Sequence, residues 1–174
     1  MISERRGIGP SMDALSREAN RLAEGVMIVL LATMTLLVGV QIAGRFVFSY
    51  SIFWSDELAR FLLIWISFLG MSVGVRRGAH PGIDSLVRAL PPRSARVALT
   101  LALVLSLLFF AVMVVYGGVL ALRTWRQRSV ALELPMAIPY LAVPVSGLIM
   151  FLHVAALGLR RERPDTDTGE VHVD

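Results

Sequence analysis

The sequence predicts an all-α integral membrane protein: four transmembrane helices with a short cytoplasmic interfacial amphipathic helix between the second and third. Three observations carry that prediction. The 174-residue chain has a mean hydropathy of +0.69, with 56% hydrophobic and only 17% charged residues, too few charges for an ordinary soluble domain and far too apolar for a disordered one. The apolar residues gather into four runs: Leu22–Gly44 with only Glu24 charged, Leu58–Val75 with only Arg60, and Val97–Leu122 and Leu134–Leu159 with no charge apart from a neutral His153. About 18 to 20 such residues cross a bilayer core at roughly 1.5 Å per residue, so each run is long enough. Finally, the arginines flank these runs instead of forming a basic face, which favours a membrane over a nucleic acid as the surrounding partner.

The basic residues also set the orientation. All 17 are Arg and none is Lys. With four spans both termini share a side, and that side holds 12 arginines against 5 on the other. The positive-inside rule therefore predicts a multi-pass membrane protein with both termini cytoplasmic. The chain has no cysteine, so disulfides, thiolate metal sites and cysteine nucleophiles are excluded. The first apolar run is too long for a signal-peptide core and lacks a small-residue cleavage site, which makes it a retained helix.

The first span, about 22–44, is expected to begin before the membrane, with Ser11 as N-cap and Asp13 in the first turn. Residues 45–55 are aromatic-rich and Ser-punctuated, suited to the outer interface. Ser55 is the expected cap of the second span, about 56–75, with Asp56 and Glu57 favoured by the dipole of its first turn. After the breaker cluster Arg77-Gly78-Ala79-His80-Pro81-Gly82, Asp84 begins the interfacial helix over about 84–90. Leu86, Val87 and Leu90 give it an apolar side, and Pro91-Pro92 ends it. The third span is expected over about 96–122. In the fourth, about 137–159, Pro139 suits the first turn and Pro144 should bend the helix by removing a backbone bond. Residues 1–163 form one membrane domain, and the polar tail 164–174 is expected to be disordered.

Charged groups near the membrane are few, and Arg45, Asp56, Glu57 and Arg60 form the densest set. Arg60 stands four residues after Asp56 and three after Glu57, spacings that bring side chains together on a helix. An Arg a turn inside hydrocarbon needs a carboxylate or must snorkel outward. The set reads either as a salt-bridged joint between the first two spans or as a contact for a partner at the outer face. Ser67, Gly70, Gly74 and Gly78 repeat a small residue every three or four positions along the second span, permitting close approach of another backbone from this chain or a partner. Trp65 reads as packing. His153 is the only His in an apolar run, whereas a bis-His haem site needs two at similar depth. No phosphate loop, nucleophile–base pair or intramembrane carboxylate pair is present, so neither an enzyme nor a cofactor is expected. A midplane transport site needs polar lining groups that spans one, three and four lack. Such a chain reads as a subunit or scaffold.

The order of motifs resembles that of the four-helix small membrane subunit of tripartite ATP-independent periplasmic (TRAP) transporters, the DctQ-type family. The matching stretches are Gln41-Ile-Ala-Gly-Arg45-Phe-Val-Phe, Trp54-Ser-Asp-Glu-Leu-Ala-Arg60 and Trp65-Ile-Ser-Phe-Leu-Gly70. They continue with Arg77-Gly78-Ala79-His80 leading to Asp84 and Leu90-Pro91, and with Ser129-Val-Ala-Leu-Glu-Leu-Pro135 followed by Tyr140 and Pro144. Local departures are Met136-Ala137, where the family often has an aromatic, and Gly82, where relatives are more apolar. The resemblance covers roughly residues 20–160. It implies a scaffold that braces a large multi-helix membrane subunit bearing the substrate and sodium sites, with a periplasmic substrate-binding protein delivering an organic acid. On it, the Arg45/Asp56/Glu57/Arg60 set and the outer loop with Arg123, Arg126 and Arg128 become docking or bracing positions, and Gly70 and Gly74 a helix contact. The alternatives are the small subunit of another tripartite carboxylate transporter, a self-sufficient oligomeric exporter and a haem-bearing anchor.

Overall fold

The computed structural model describes residues 8–47, 53–77 and 90–161, with side chains over 12–47, 53–77 and 90–158. Five helices follow in order: α1 (Ile8–Val47), α2 (Ser55–Arg76), α3 (Pro92–Arg123), the single turn α4 (Ala137–Tyr140) and α5 (Ala142–Arg161). Four stretches are long and apolar enough to cross a membrane, namely Met12–Val47, Ser55–Arg76, Pro92–Arg123 and Ala137–Gly158. The architecture is the expected all-α, four-span one. The interfacial helix over 84–90, apart from Leu90, lies outside the described residues, as do Gly78 and the tail 164–174.

Several boundaries differ from the sequence expectation for local reasons. At 40 residues, α1 is about 60 Å long at 1.5 Å per residue, roughly twice the thickness of a hydrocarbon core. It begins at Ile8, so Ser11 lies within the helix and is not its cap, and Asp13 instead forms an ion pair with Arg17 one turn on. It also runs on to Val47, making Arg45, Phe46 and Val47 helical where an interfacial segment was expected. Trp54 holds the N-cap position of α2 without a side-chain bond, and Ser55 is the first helical residue, fully buried. Pro92 starts a helix: it occupies the first turn of α3, where a missing N–H costs nothing and the fixed φ suits the helix.

The last span keeps right-handed helical dihedrals through Leu141, which stands between α4 and α5, but loses one backbone hydrogen bond there. Pro144 is the cause, because its nitrogen has no hydrogen for the Tyr140 carbonyl and its ring crowds that carbonyl. The turn stays in line through Leu141 N–H to the Ala137 carbonyl at 2.8 Å and Val145 N–H to the Leu141 carbonyl at 3.2 Å.

Within the bundle α5 is the common neighbour, packing against α1, α2 and α3, while α1 packs on α2. The backbones of α2 and α3 do not approach within 8 Å. Ser16, Asn20 and Ala23 are buried and Met27 and Leu30 partly so, a repeat of four and three residues that keeps one stripe of α1 facing its neighbours. Ala23 meets Leu69 and Val73, with Met27, Leu30, Trp65 and Ile149 packed around them. The α3–α5 seam is closer. A Cβ on Gly117 would come within 2.9 Å of Pro144 Cδ and Val143 Cγ1, one on Gly147 within 3.2 Å of Met113, and one on Gly158 within 3.0 Å of Leu103. These glycines let two helices approach more closely than any side chain would permit. On its other side α3 faces α2 across an apolar groove of about 670 Å³ lined by Phe68, Met71, Gly74, Leu105, Phe109 and Met150, among others.

Candidate functional site

Among the described residues charged side chains collect at the two ends of the bundle, and the spans between them carry no charge. At one end, here the loop end, the connection between α3 and α4 folds back on itself. Ser129 N–H donates to the Leu134 carbonyl at 2.9 Å and Met136 N–H to the Gln127 carbonyl at 2.9 Å, pairing Arg128 with Pro135. Glu133 closes the reversal in a left-handed conformation, φ 55°, and Arg128 Nη1 donates to its carbonyl at 3.0 Å. The Ser129 hydroxyl accepts the Leu134 N–H at 3.2 Å.

The loop's remaining amides point at α2. Glu57 Oε2 accepts the N–H of Ala131 at 2.7 Å and that of Leu132 at 2.9 Å. An ionised carboxylate receiving two backbone donors makes charge-assisted bonds, stronger than neutral ones. Next to it Gln41 on α1 donates from Nε2 to Asp56 Oδ1 at 2.6 Å, and deeper along α2 the Trp65 indole N–H reaches the Ile138 carbonyl of α4 at 3.1 Å. These four bonds tie α2 to α1, to the loop and to α4.

This arrangement corrects the expected salt bridge. Among the described residues neither Asp56 nor Glu57 pairs with Arg60; the three ion pairs present are Asp13–Arg17, Glu18–Arg21 and Glu24–Arg77. The acids have taken a glutamine amide and two backbone amides, and Arg60 lies exposed on the bundle surface, as does Arg45. Arg123, Arg126 and Arg128 are exposed at the same end, beside Trp125 and an almost fully exposed Val130. Of the small-residue stripe, Ser67 is exposed, a Cβ on Gly70 would meet only Met27 Sδ at 3.6 Å, and one on Gly74 would meet open space in the groove.

The other end, which carries the N-terminal turns of α1 and the C-terminal turns of α2 and α5, holds a network that inspection of the sequence did not single out. Ser16 is buried, and its Oγ lies 2.8 Å from His153 Nδ1 while receiving a hydrogen bond from Arg76 Nη1. Nδ1 is thereby engaged by the hydroxyl, and the second ring nitrogen is left for another partner. His153 Nε2 is buried and meets no partner within the protein. Alongside, Glu24 accepts from Arg77 Nη2 at 2.8 Å and from Asn20 Nδ2 at 3.0 Å. A cavity of about 150 Å³ opens here, lined by Asp13, Ser16, Arg76 and His153 on one side and by Val75, Val154, Ala156 and Leu157 on the other. The signal available in sequence was the four-residue step from Ser16 to Asn20, continuous with the buried stripe of α1 but placed before the apolar run begins.

Four apolar spans with polar fastenings at both ends and an uncharged middle define a helical, multi-pass membrane protein. Comparison with known proteins gives the family. Residues 34–163 match the model for tripartite ATP-independent periplasmic transporters, DctQ component, and the chain belongs to that family: it is a TRAP transporter small permease subunit. It is 30% identical to the C4-dicarboxylate TRAP transporter small permease protein DctQ of Rhodobacter capsulatus, over 91% of this chain and 85% of that one. Identity to the ectoine TRAP transporter small permease protein TeaB of Halomonas elongata is 31%, over 82% of this chain and 74% of the relative. A 34% match over 56% of this chain falls within the isethionate TRAP transporter permease protein DctMQ of Oleidesulfovibrio alaskensis, covering 16% of that longer protein.

Proposed function

We propose that the chain is the fixed scaffold of a sodium-coupled, binding-protein-dependent uptake system for acidic organic solutes. It braces a large multi-helix permease subunit in the inner membrane with both termini cytoplasmic. The observation that carries this reading is the distribution of polar groups: they fasten the chain to itself at its two ends, and the uncharged middle offers no lining for a polar solute. The solute path then belongs to another chain. The match to a stretch of a much longer permease protein supports a large membrane partner. Relatives named for C4-dicarboxylates, ectoine and isethionate support an anionic or zwitterionic solute. The arginine count, 12 against 5, supports the orientation.

In this reading the loop end faces the periplasm. Arg123, Arg126, Trp125 and Val130 form an exposed face on a loop held rigid by Glu57, suited to transient contact with a substrate-binding protein. Gly74 and the groove face the large subunit, whose helix approaches where no side chain of this chain intrudes.

The test is a pull-down of the tagged chain from native membranes in mild detergent, with partners identified by mass and solute uptake measured in the same strain. Stoichiometric recovery of one much larger polytopic protein is expected, and recovery of a homo-oligomer alone would overturn the scaffold reading. Charge reversal at both Arg123 and Arg126 should lower uptake without lowering recovery of the large subunit. Unchanged uptake would remove the docking assignment.

A further inference from the structure

We propose that the cavity between Arg76 and His153 is a binding site for the phosphate of a membrane phospholipid. The first ground is a buried, unpartnered nitrogen. Ser16 engages His153 at Nδ1, and the buried Nε2 has no partner in the protein. Leaving a buried polar atom unpaired is unfavourable, and with its hydrogen on Nε2 the ring donates to an oxyanion in the cavity against which it lies. The second ground is charge. Asp13 is engaged by Arg17 and Glu24 by Arg77, whereas the described partner of Arg76 is a neutral hydroxyl. Among the described ion pairs none involves Arg76, whose guanidinium offers a positive charge to a phosphodiester.

The third ground separates a lipid from a free anion. Half of the cavity wall is apolar, formed by Val75, Val154, Ala156 and Leu157. Val75 also lines the groove between α2 and α3, and Met150 in that groove stands one turn before His153 on α5. An oxyanion seated on Arg76 and His153 Nε2 thus has an apolar surface running away from it toward the bilayer, as a headgroup joined to acyl chains requires. Inorganic phosphate shares the oxyanion chemistry but uses only the polar half of the wall. Arg76 ends α2 and His153 stands about two turns before the end of α5, so the site opens at the border of the leaflet nearest the termini, where a polybasic edge also favours anionic lipid.

The experiment is native mass spectrometry of the full chain, purified in mild detergent with any large subunit that accompanies it. One phospholipid per chain should survive activation that strips the rest. Arg76→Gln and His153→Leu should each reduce that retained lipid about tenfold, the loss of a charge-assisted contact, and Arg21→Gln, an exposed arginine of the same end, should not. Retention equal to wild type in both variants would overturn the proposal. A second arm needs no variant: wild-type chain in vesicles containing a photoactivatable phosphatidylglycerol should be labelled within residues 13–16 and 153–157, and labelling confined to other segments would overturn it. If inorganic phosphate at millimolar concentration raises the melting temperature while no lipid is retained, the ligand is a free anion and the lipid assignment falls.

Discussion

The carboxylate of Glu57 accepts the backbone N–H of Ala131 at 2.7 Å across 74 residues of chain. With the neighbouring bond to Leu132, it moulds the only described connection between spans into a fixed shape against the first turn of α2. Glu57→Ala should therefore loosen the loop and leave the spans intact. Hydrogen exchange is the measurement: the amides of Ala131 and Leu132 should exchange markedly faster, those of mid-α2 and mid-α5 unchanged. Glu57→Gln, which keeps one neutral acceptor, should fall between the variant and the wild type.

Trp65 gives a smaller and more local effect. Trp65→Phe keeps an aromatic ring beside Ala23 and Leu69 but removes the indole donor to the Ile138 carbonyl. A loss of about 1 kcal/mol is expected, the usual net worth of one such bond, read as a lower denaturation midpoint in detergent. No change would mean that the carbonyl finds another donor.

The glycines sort by what lies over them. Gly117→Ala places a methyl within 2.9 Å of the Pro144 ring, so a destabilisation of about 1–3 kcal/mol is expected from overpacking. Gly118→Ala, one residue on, meets nothing within 4 Å and should be neutral or slightly stabilising. Gly74→Leu should leave the stability of the isolated chain unchanged, because its site is open, but lower recovery of the large subunit in the pull-down. Equal recovery would remove Gly74 from the interface.

Glu133 occupies a left-handed backbone conformation that costs a side-chain-bearing residue about 1–2 kcal/mol. Glu133→Gly should raise the melting temperature slightly, glycine's own entropy cost offsetting part of the relief. A fall instead would show that the side chain holds something at the loop end.

The number of spans and their nature were legible because each rests on a property of consecutive residues: a long uncharged run, a flanking arginine, a proline. Pro139 and Pro144 marked the disturbed region of the last span before any coordinates did, although the extent of the disturbance at Leu141 depends on how Tyr140 and Pro144 meet. Which partner a charged side chain takes was not legible. Asp56 and Glu57 stand at helical spacing to Arg60, yet Gln41 and the amides of Ala131 and Leu132, distant in sequence, offer better geometry. The same holds for Gly117 and Gly147. One belongs to a Gly-Gly pair and the other follows a serine, and only the closeness of α3 to α5 distinguishes them from Gly118. Ser16 and His153 are ordinary residues until the fold brings them, 137 positions apart in the chain, to 2.8 Å.

The isolation of α3 divides the molecule unevenly. Three spans hold one another by polar bonds as well as by apolar contact, so a fault in one bond leaves others to keep register. The fourth, α3, packs on α5 and the α4 turn without a side-chain hydrogen bond to either among the described residues, along a seam in which Gly117, Gly147 and Gly158 lie. Injury to that seam should release α3 as a unit while the Ser16–His153–Arg76 network persists. In such a protein the severity of a missense change would follow which seam it strikes more closely than how deeply it is buried.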